Sequence, residues 1–301
     1  MSLTTRPQLA TARRVPPKTV RLDDGRFVMM QLREGRPGSP QIVCFPFAGG
    51  GPLAFKAFAE HLPREYSVWA IDFPGHVRTQ GNAHETISAM VADCLRLMPI
   101  GLLTSSFFVG YSLGGYVAHA LTVELERMGH TVPGVIIAGS TPTTIRDLSS
   151  PLSALDDAGL LEWLQGVGQV DNSPLQLELF ELFKPTMRAD IKAYDSYRPF
   201  DAISAPTLVL GGSHDPMCAP SEFDEWADLA NDYRIEIVPG GHFFINTAPM
   251  VMADAITGFL DELTRPDVGA TGEVPVPSGI RDLAGVRDDD EPARGKLRLI
   301  A

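Results

Sequence analysis

Residues 105–116 read Ser-Ser-Phe-Phe-Val-Gly-Tyr-Ser-Leu-Gly-Gly-Tyr and place the pattern Gly-x-Ser-x-Gly around Ser112. The apolar run before Gly110 predicts a buried strand, and the residues after Gly115 predict a helix. A strand, a glycine-flanked serine and a helix are the context of a nucleophile elbow. We therefore predict that Ser112 is a nucleophile and that the Leu113 N–H faces a developing oxyanion at the helix N-terminus. The alternative is a glycine-rich turn with a plain capping serine.

Strand-like and helix-like runs alternate along most of the chain, which predicts an α/β fold with a mostly parallel central sheet flanked by helices. We expect strands at residues 27–32, 41–45, 67–72, 106–111, 134–139, 207–211 and 234–238. We expect helices at residues 53–61, 85–98, 113–128, 221–229 and 248–263. The domain built around this sheet is expected to span residues 21–264.

The alternation is interrupted between residues 141 and 197, where no strand is evident but apolar helical patches occur at 160–167 and 175–183. A long insertion between two strands is commonly functional, so we interpret it as a helical cap, or lid, over the site. Extra packing helices are the alternative. Apolar cap side chains are expected to wall a substrate chamber, among them Leu161, Trp163, Leu164, Leu177, Phe180 and Phe183.

A serine nucleophile at neutral pH needs a base and an acid that orients it. His242 follows the last predicted strand and Asp215 follows the preceding one, so both lie at the carboxyl edge of the sheet with Ser112. The chain order of nucleophile, acid and histidine is the one this architecture uses. We therefore predict Ser112, Asp215 and His242 as the catalytic residues. Asp224 is a rival acid and His214 a weak rival base.

The second oxyanion donor is expected in the loop after the strand at 41–45. This loop reads Pro-Phe-Ala-Gly-Gly-Gly-Pro over residues 46–52, and its glycines allow the backbone to turn N–H groups inward. Phe47 or Ala48 is predicted to donate a main-chain N–H. A phosphate-binding role is disfavoured because the Gly-Lys-Ser/Thr of a P-loop is missing.

These segments together resemble the type II, or editing, thioesterases of polyketide and nonribosomal peptide synthesis, which have the α/β-hydrolase fold. The resemblance covers roughly residues 41–263. It rests on residues 44–50 and 72–75, on the elbow, and on residues 188–190, 194–197 and 240–244. It implies a serine hydrolase that removes acyl or peptidyl chains from the phosphopantetheine of carrier-protein domains of a synthase, through an acyl-Ser112 intermediate and with no metal or organic cofactor.

At three positions the residue differs from the one that is usual in this family. The family usually has His at the positions of Phe47 and Tyr111, and Arg at the position of His76. We expect Tyr111 and His76 to border the substrate pocket, so these departures concern which acyl group is accepted and what becomes of it.

Composition excludes other classes of function. The 25 Lys+Arg and 37 Asp+Glu give a net charge of −12 without a basic stripe, so nucleic acid is not an expected partner. Because long apolar runs are missing, no membrane association is expected. The 3 Cys match no metal or disulfide spacing and indicate a reducing, cytoplasmic location. We expect a monomer rather than an oligomer.

Both ends differ in composition from the rest of the chain. Residues 1–20 are expected to be a flexible extension, and residues 265–301 a disordered acidic tail.

Other functions remain open at this stage. The same triad serves a cyclase or acyltransferase if the acyl group passes to a hydroxyl or amine, and a carboxylesterase if small esters are the substrates. A catalytically inactive binding partner would need a broken triad, whereas this sequence offers an intact one.

Overall fold

The computed structural model describes residues 18–142, 149–198, 201–265 and 296–299. Within these residues, nine strands form one sheet with the order β1-β2-β4-β3-β5-β6-β7-β8-β9. The strands are β1 Lys18–Leu22, β2 Phe27–Arg33, β3 Gln41–Phe45, β4 Ser67–Asp72, β5 Ser106–Tyr111, β6 Val135–Ala138, β7 Thr207–Gly212, β8 Tyr233–Val238 and β9 Lys296–Leu299. The pairs β1–β2 and β2–β4 are antiparallel, and every later neighbouring pair is parallel.

Helices cover both faces of this sheet. They are α1 Lys56–His61, α2 Ile87–Leu97, α3 Ile100–Ser105, α4 Leu113–Arg127, α5 Asp157–Gly166, α6 Pro174–Ser196, α7 Phe244–Thr247 and α8 Pro249–Thr264. Buried side chains of α2 and α4 pack on one face, and those of α1 and α8 pack on the other. Central strands therefore have apolar residues on both sides, as in β5, where all six residues are buried.

This architecture confirms the predicted fold class, an α/β-hydrolase fold with a mostly parallel sheet. The seven predicted strands are all present, with ends within one residue of those expected. Parallel strands end at the same edge of the sheet, which brings the segments after β3, β5, β7 and β8 together.

The interval expected to form a cap contains α5 and α6, which lie between β6 and β7 in the chain, and the name cap is kept for these two helices. It has a small core of its own, formed by Leu160, Leu164, Phe180, Met187 and Ile191. Helix α6 is longer than the predicted patch because it continues through Pro185 to Ser196. Residues 143–148 of the expected cap interval lie outside the described residues.

Other differences lie at the ends and in short helices. Strand β1 begins at Lys18, inside the expected flexible extension, and turns into β2 through Asp24 and Gly25, both with positive φ. The segment Pro220–Asp228 is a 3-10 helix, and α3 was not expected. Residues 1–17, 266–295 and 300–301 of the expected extension and tail lie outside the described residues, while 296–299 form β9 beside β8. Across the described chain, every helix is too short or too polar to cross a bilayer.

Candidate active site

Ser112 occupies the sharp turn between β5 and α4. Its φ of 51° and ψ of −116° are strained for a residue with a side chain. The turn requires glycine on both sides, since a Cβ at Gly110 would collide with the main chain of Gly114, and one at Gly114 with the carbonyl of Phe45. The turn is held from below, where the Ser112 N–H donates to the Ala138 carbonyl at 2.7 Å. This hydrogen bond stabilises the strained backbone of Ser112, and the turn places the Ser112 hydroxyl at the edge of the sheet.

The structure brings the three predicted catalytic side chains together. His242 Nε2 lies 3.2 Å from Ser112 Oγ, and His242 Nδ1 lies 2.8 Å from Asp215 Oδ2. All three residues are buried, with His242 only 2% exposed. A carboxylate at Nδ1 fixes the tautomer in which Nε2 accepts the serine proton.

Asp215 is itself held in place by the loop that follows it. Its second oxygen, Oδ1, accepts the N–H groups of Met217 at 2.8 Å and Cys218 at 3.2 Å. The carboxylate is therefore satisfied on both oxygens while it faces His242. The rival acid Asp224 lies exposed in the 3-10 helix, and the His214 ring bonds to the Ser213 hydroxyl.

The loop after β3 forms a tight turn beside the elbow, where the carbonyls of Phe45 and Pro46 lie against Gly114. The Gly50 N–H donates to the Phe47 carbonyl at 2.8 Å, and Gly49 adopts a positive φ of 69°. Among the residues that the structure describes, the N–H groups of Phe47 and Ala48 have no hydrogen-bond acceptor. Two donors thus remain available in the loop predicted to supply the oxyanion hole.

Aromatic rings surround the histidine. Phe243 packs edge-on against His242 and against Phe47, with ring centres 5.1 and 5.0 Å apart. Tyr111 was expected to border the substrate pocket, but it is fully buried. Its hydroxyl instead donates to the main-chain carbonyl of His242. Tyr111 therefore holds the His242 main chain from beneath the site. It does not border the pocket, contrary to the expectation from the sequence.

A cavity of about 260 Å³ lies between this loop, the segment after His242 and the cap. Phe180 and Phe183, two of the residues expected to wall a substrate chamber, line this cavity, which is also bordered by Phe47, Met187, Phe243 and Lys184. Trp163 and Leu164 do not line it, because both turn into the cap's own core. Both belong to the short helix α5, which packs against α6 through Leu160 and Leu164. Leu161 and Leu177 do not line the cavity either.

His76 was also expected to border the pocket, but the structure places it in a buried ion pair. Its Nε2 donates to Asp190 Oδ2 of α6 at 3.0 Å, and both side chains are at most 2% exposed. Burial alone would lower the pKa of His76, but the charge and hydrogen bond of Asp190 raise it to about 9. Sequence reasoning missed this role for Asp190, whose only signal was its place in the segment 188–190 of the resemblance.

One group of side chains in the described chain has the spacing of metal ligands, namely Asp215, Cys218 and His242. In this group the Asp215 carboxylate and both His242 nitrogens already take part in the hydrogen bonds given above. Burial raises the pKa of the Cys218 thiol, which disfavours the thiolate that a metal would need. The cluster suits proton transfer better than metal binding.

A parallel sheet with a serine elbow, a histidine and a buried aspartate defines the class of α/β-hydrolases with a Ser-His-Asp site. Residues 40–262 match the sequence profile of the family described as "Thioesterase domain". The chain therefore belongs to the thioesterase family, and the predicted class of enzyme, a thioester hydrolase, is confirmed.

Similar proteins agree with this assignment. The chain is 31% identical over 269 residues to the AMB antimetabolite synthetase AmbE of Pseudomonas aeruginosa, covering 86% of this chain but 12% of that much longer protein. It is 29% identical to the probable anguibactin biosynthesis thioesterase AngT of Vibrio anguillarum, covering 74% of this chain and 92% of AngT. The solved structure of YbtT, a type II thioesterase from the yersiniabactin pathway, superimposes with a TM-score of 0.67 at 25% identity over 79% of this chain and 99% of YbtT. The resemblance to type II thioesterases is thereby confirmed.

Proposed function

We propose that this thioesterase removes acyl or peptidyl groups from the phosphopantetheine arm of carrier-protein domains in a polyketide or nonribosomal peptide pathway. The observation that carries the proposal is the position of His242, within hydrogen-bond reach of both Ser112 Oγ and Asp215 Oδ2. The names of the relatives AngT and YbtT, which refer to biosynthetic pathways of this type, support the choice of substrate class.

The first half of the reaction transfers the acyl group to the enzyme. Ser112 Oγ attacks the thioester carbonyl while His242 Nε2 accepts the serine proton, and Asp215 stabilises the resulting imidazolium. The tetrahedral oxyanion is held by the N–H of Leu113 and by that of Phe47 or Ala48. Loss of one such donor costs about 3–4 kcal/mol in the barrier. When the C–S bond breaks, His242 returns its proton to the leaving pantetheine sulfur.

The second half releases the product. Water enters where the thiol left, His242 takes one of its protons, and the oxygen attacks the acyl-Ser112 carbonyl. Collapse of the second tetrahedral species returns the proton to Ser112 Oγ and frees a carboxylic acid. Every proton in both halves passes through His242, so the proposal includes no metal or organic cofactor.

The apolar cavity supports an acyl group as the bound part of the substrate. Its apolar side chains come from residues 46–52, which form the proposed oxyanion loop, from the cap and from the segment after His242. They are Phe47, Phe180, Phe183, Met187 and Phe243. An apolar chain placed there would lie between the loop that carries Phe47, the residue after His242 and helix α6.

The remaining expectations form part of the same proposal. We place the enzyme in the cytoplasm as a monomer, with carrier-protein domains as its partners. The three cysteines, Cys44, Cys94 and Cys218, are buried free thiols, which fits a reducing compartment.

Intact-mass spectrometry of carrier proteins loaded with a panel of acyl chains tests the proposal. Wild type is expected to remove the acyl mass and release free acid, whereas Ser112→Ala is expected to leave the carriers loaded. Retention of full activity by Ser112→Ala would overturn the assignment of the nucleophile. If the carriers stayed loaded while a fluorophosphonate still labelled Ser112, the carrier-protein substrate would be wrong. Products joined to added alcohols or amines would instead indicate a transferase.

A further inference from the structure

We infer that Asp190 is a positioning residue for the oxyanion hole and that it acts as one half of a charged pair with His76. The inference rests on the proposed role of Phe47 and Ala48 as oxyanion donors. It adds that the cap helix α6 does more than wall the cavity, because it fixes the main chain on which those two donors are carried.

A single oxygen makes the connection. Asp190 Oδ2 accepts the Gly49 N–H at 2.7 Å and His76 Nε2–H at 3.0 Å. Gly49 directly follows Ala48, so this bond fixes the Ala48–Gly49 peptide plane. That plane is next along the chain to the one that carries the Ala48 N–H, and the bond therefore anchors the turn from which both proposed donors project. Asp190 thus joins α6, the oxyanion loop and the loop after β4 at one buried point.

The hydrogen bonds require His76 to be a cation. Its Nδ1 faces the carbonyls of Phe73 and Pro74, each at 3.2 Å, while its Nε2 faces Asp190 Oδ2. All three partners are acceptors, so both ring nitrogens have to donate, and only the imidazolium has two N–H groups. The bonds to Asp190 are therefore charge-assisted, which makes them stronger than those between neutral groups.

Other charged groups around His76 favour the same state. Asp72, at the end of β4, contributes a second negative charge, and burial raises the pKa of its carboxyl. Arg78 and Arg21 lie near Asp72 and partly balance it. Asp72 Oδ1 and Asp190 Oδ1 are both buried without a hydrogen-bond partner among the described residues. The pocket around His76 therefore has an excess of acceptors and suits a cation.

Two further contacts tie the cap to the same loop. The Gln169 side chain donates to the Ala48 carbonyl at 2.8 Å, and the Met187 side chain fills the space where a Cβ at Gly49 would lie. Thr186, on the same helix as Asp190, donates instead to the Gly75 carbonyl at 2.6 Å. Thr186 therefore fastens the cap without holding the oxyanion loop and provides a matched control.

Asp190→Asn keeps the shape of the side chain but removes the negative charge that faces His76. With its oxygen at the position of Oδ2, the amide can still accept from Gly49, but it no longer balances the His76 charge. With its nitrogen there, it opposes the Gly49 N–H. Either orientation weakens the restraint on the loop, and a misplacement of about 1 Å at a reacting group costs about 10²-fold in rate.

The experiment compares wild type, Asp190→Asn and Thr186→Val by steady-state kinetics on a loaded carrier and by the rate of fluorophosphonate labelling of Ser112. Asp190→Asn is expected to lower kcat and the labelling rate by about 10²-fold, with KM near the wild-type value. Thr186→Val is expected to match wild type in both. Equal rates for Asp190→Asn and wild type would overturn the inference, as would an equal loss in Thr186→Val. Because labelling needs no carrier, it tests the inference even if the proposed substrate is wrong.

A second measurement covers the case in which Asp190→Asn does not fold. Because the pKa of His76 is raised to about 9, the pair is intact below that pH and is lost as the pH rises through it. The labelling rate of wild type is therefore expected to fall above pH about 9, while His76→Arg, a permanent cation, is expected to remove that fall. A wild-type rate that does not fall, or an equal fall in His76→Arg, would contradict a positioning role.

Discussion

The hydroxyl of Tyr111 donates a 2.5 Å hydrogen bond to the main-chain carbonyl of His242 and accepts the N–H of Ile245 at 3.3 Å. Tyr111 immediately precedes Ser112, the proposed nucleophile, so the strand that leads to Ser112 also fixes the backbone of His242, the proposed base. The relative position of these two residues thus depends on a buried contact beneath the site as well as on their own hydrogen bond.

Tyr111→Phe is expected to lower both stability and rate. It leaves the Ile245 N–H and the His242 carbonyl buried without the hydroxyl, at a cost of about 1–3 kcal/mol in the free energy of unfolding. It also removes a hydrogen bond that holds the main chain of His242, so kcat should fall with little change in KM. Urea unfolding and steady-state kinetics measure the two effects.

The matched control for this variant is Tyr116→Phe, whose equally buried hydroxyl donates to the Thr141 carbonyl. It should lose stability without the same loss of kcat. If both variants lost activity equally, the contact with His242 would have no special role.

Asp215→Asn is expected to lower kcat by about 10⁴-fold, because an amide at this position favours the wrong tautomer of His242. Stability should change little, since the amide oxygen can still accept from Met217 and Cys218. Asp224→Asn, at the exposed rival acid, is the control and should behave as wild type. Free-acid release from a loaded carrier measures both, and activity of Asp215→Asn within tenfold of wild type would exclude it as the orienting acid.

Phe183→Ala is expected to extend the range of acyl chains toward longer or bulkier groups, since Phe183 lines the cavity and is only partly buried. Trp163→Ala removes an aromatic ring of the same cap that does not line the cavity. It should cost stability but leave the chain-length profile as it is. Mass spectrometry on a panel of loaded carriers gives both profiles, and identical profiles for Phe183→Ala and wild type would show that the cavity is not the acyl site.

Because the His119 side chain is buried, we expect the protein to lose stability in acid. His119 is fully buried against Trp226, and burial lowers its pKa to about 4. Between pH 6.5 and 4 the unfolded chain binds a proton that the native chain does not, so the free energy of unfolding falls as the pH falls through this range. The loss by pH 4 is about 3 kcal/mol.

His119→Gln, which does not titrate, separates this effect from that of the carboxylates. Urea unfolding at pH 7 and pH 4.5 should show a smaller loss for the variant than for wild type. Equal losses would mean that His119 is not kept neutral in the native state.

The sheet was predictable because its central strands are short apolar runs bounded by glycine, proline or polar residues. Strand β1 was missed, since Lys18–Leu22 is a mostly exposed edge strand and lies in a region rich in proline and arginine. The predicted helical patch at residues 175–183 covers only the first part of α6, which continues through Pro185 although proline lacks the N–H of a helix interior. It continues because Met187, Asp190 and Ile191 are buried beyond that point.

The candidate site was predictable where local sequence determines position. The elbow, the acid and the histidine each follow a strand, so their common location comes directly from the topology. The roles of Tyr111 and His76 were not predictable in this way, because each depends on a partner more than 100 positions away in the chain. No local pattern around Tyr111 or His76 indicates the direction of its side chain.

Helix α6 carries Phe183 and Met187, which line the cavity, and Asp190, which accepts the Gly49 N–H of the oxyanion loop. These three residues lie within eight consecutive positions. Chimeras that exchange the cap between relatives, in order to transplant a substrate range, would therefore also exchange the residue opposite Gly49 and His76. A donor helix grafted alone would place its own side chain, in place of Asp190, against the Gly49 N–H and the His76 ring of the recipient. Productive hybrids should require the cap, residues 46–51 and residues 73–79 to be moved together as one module.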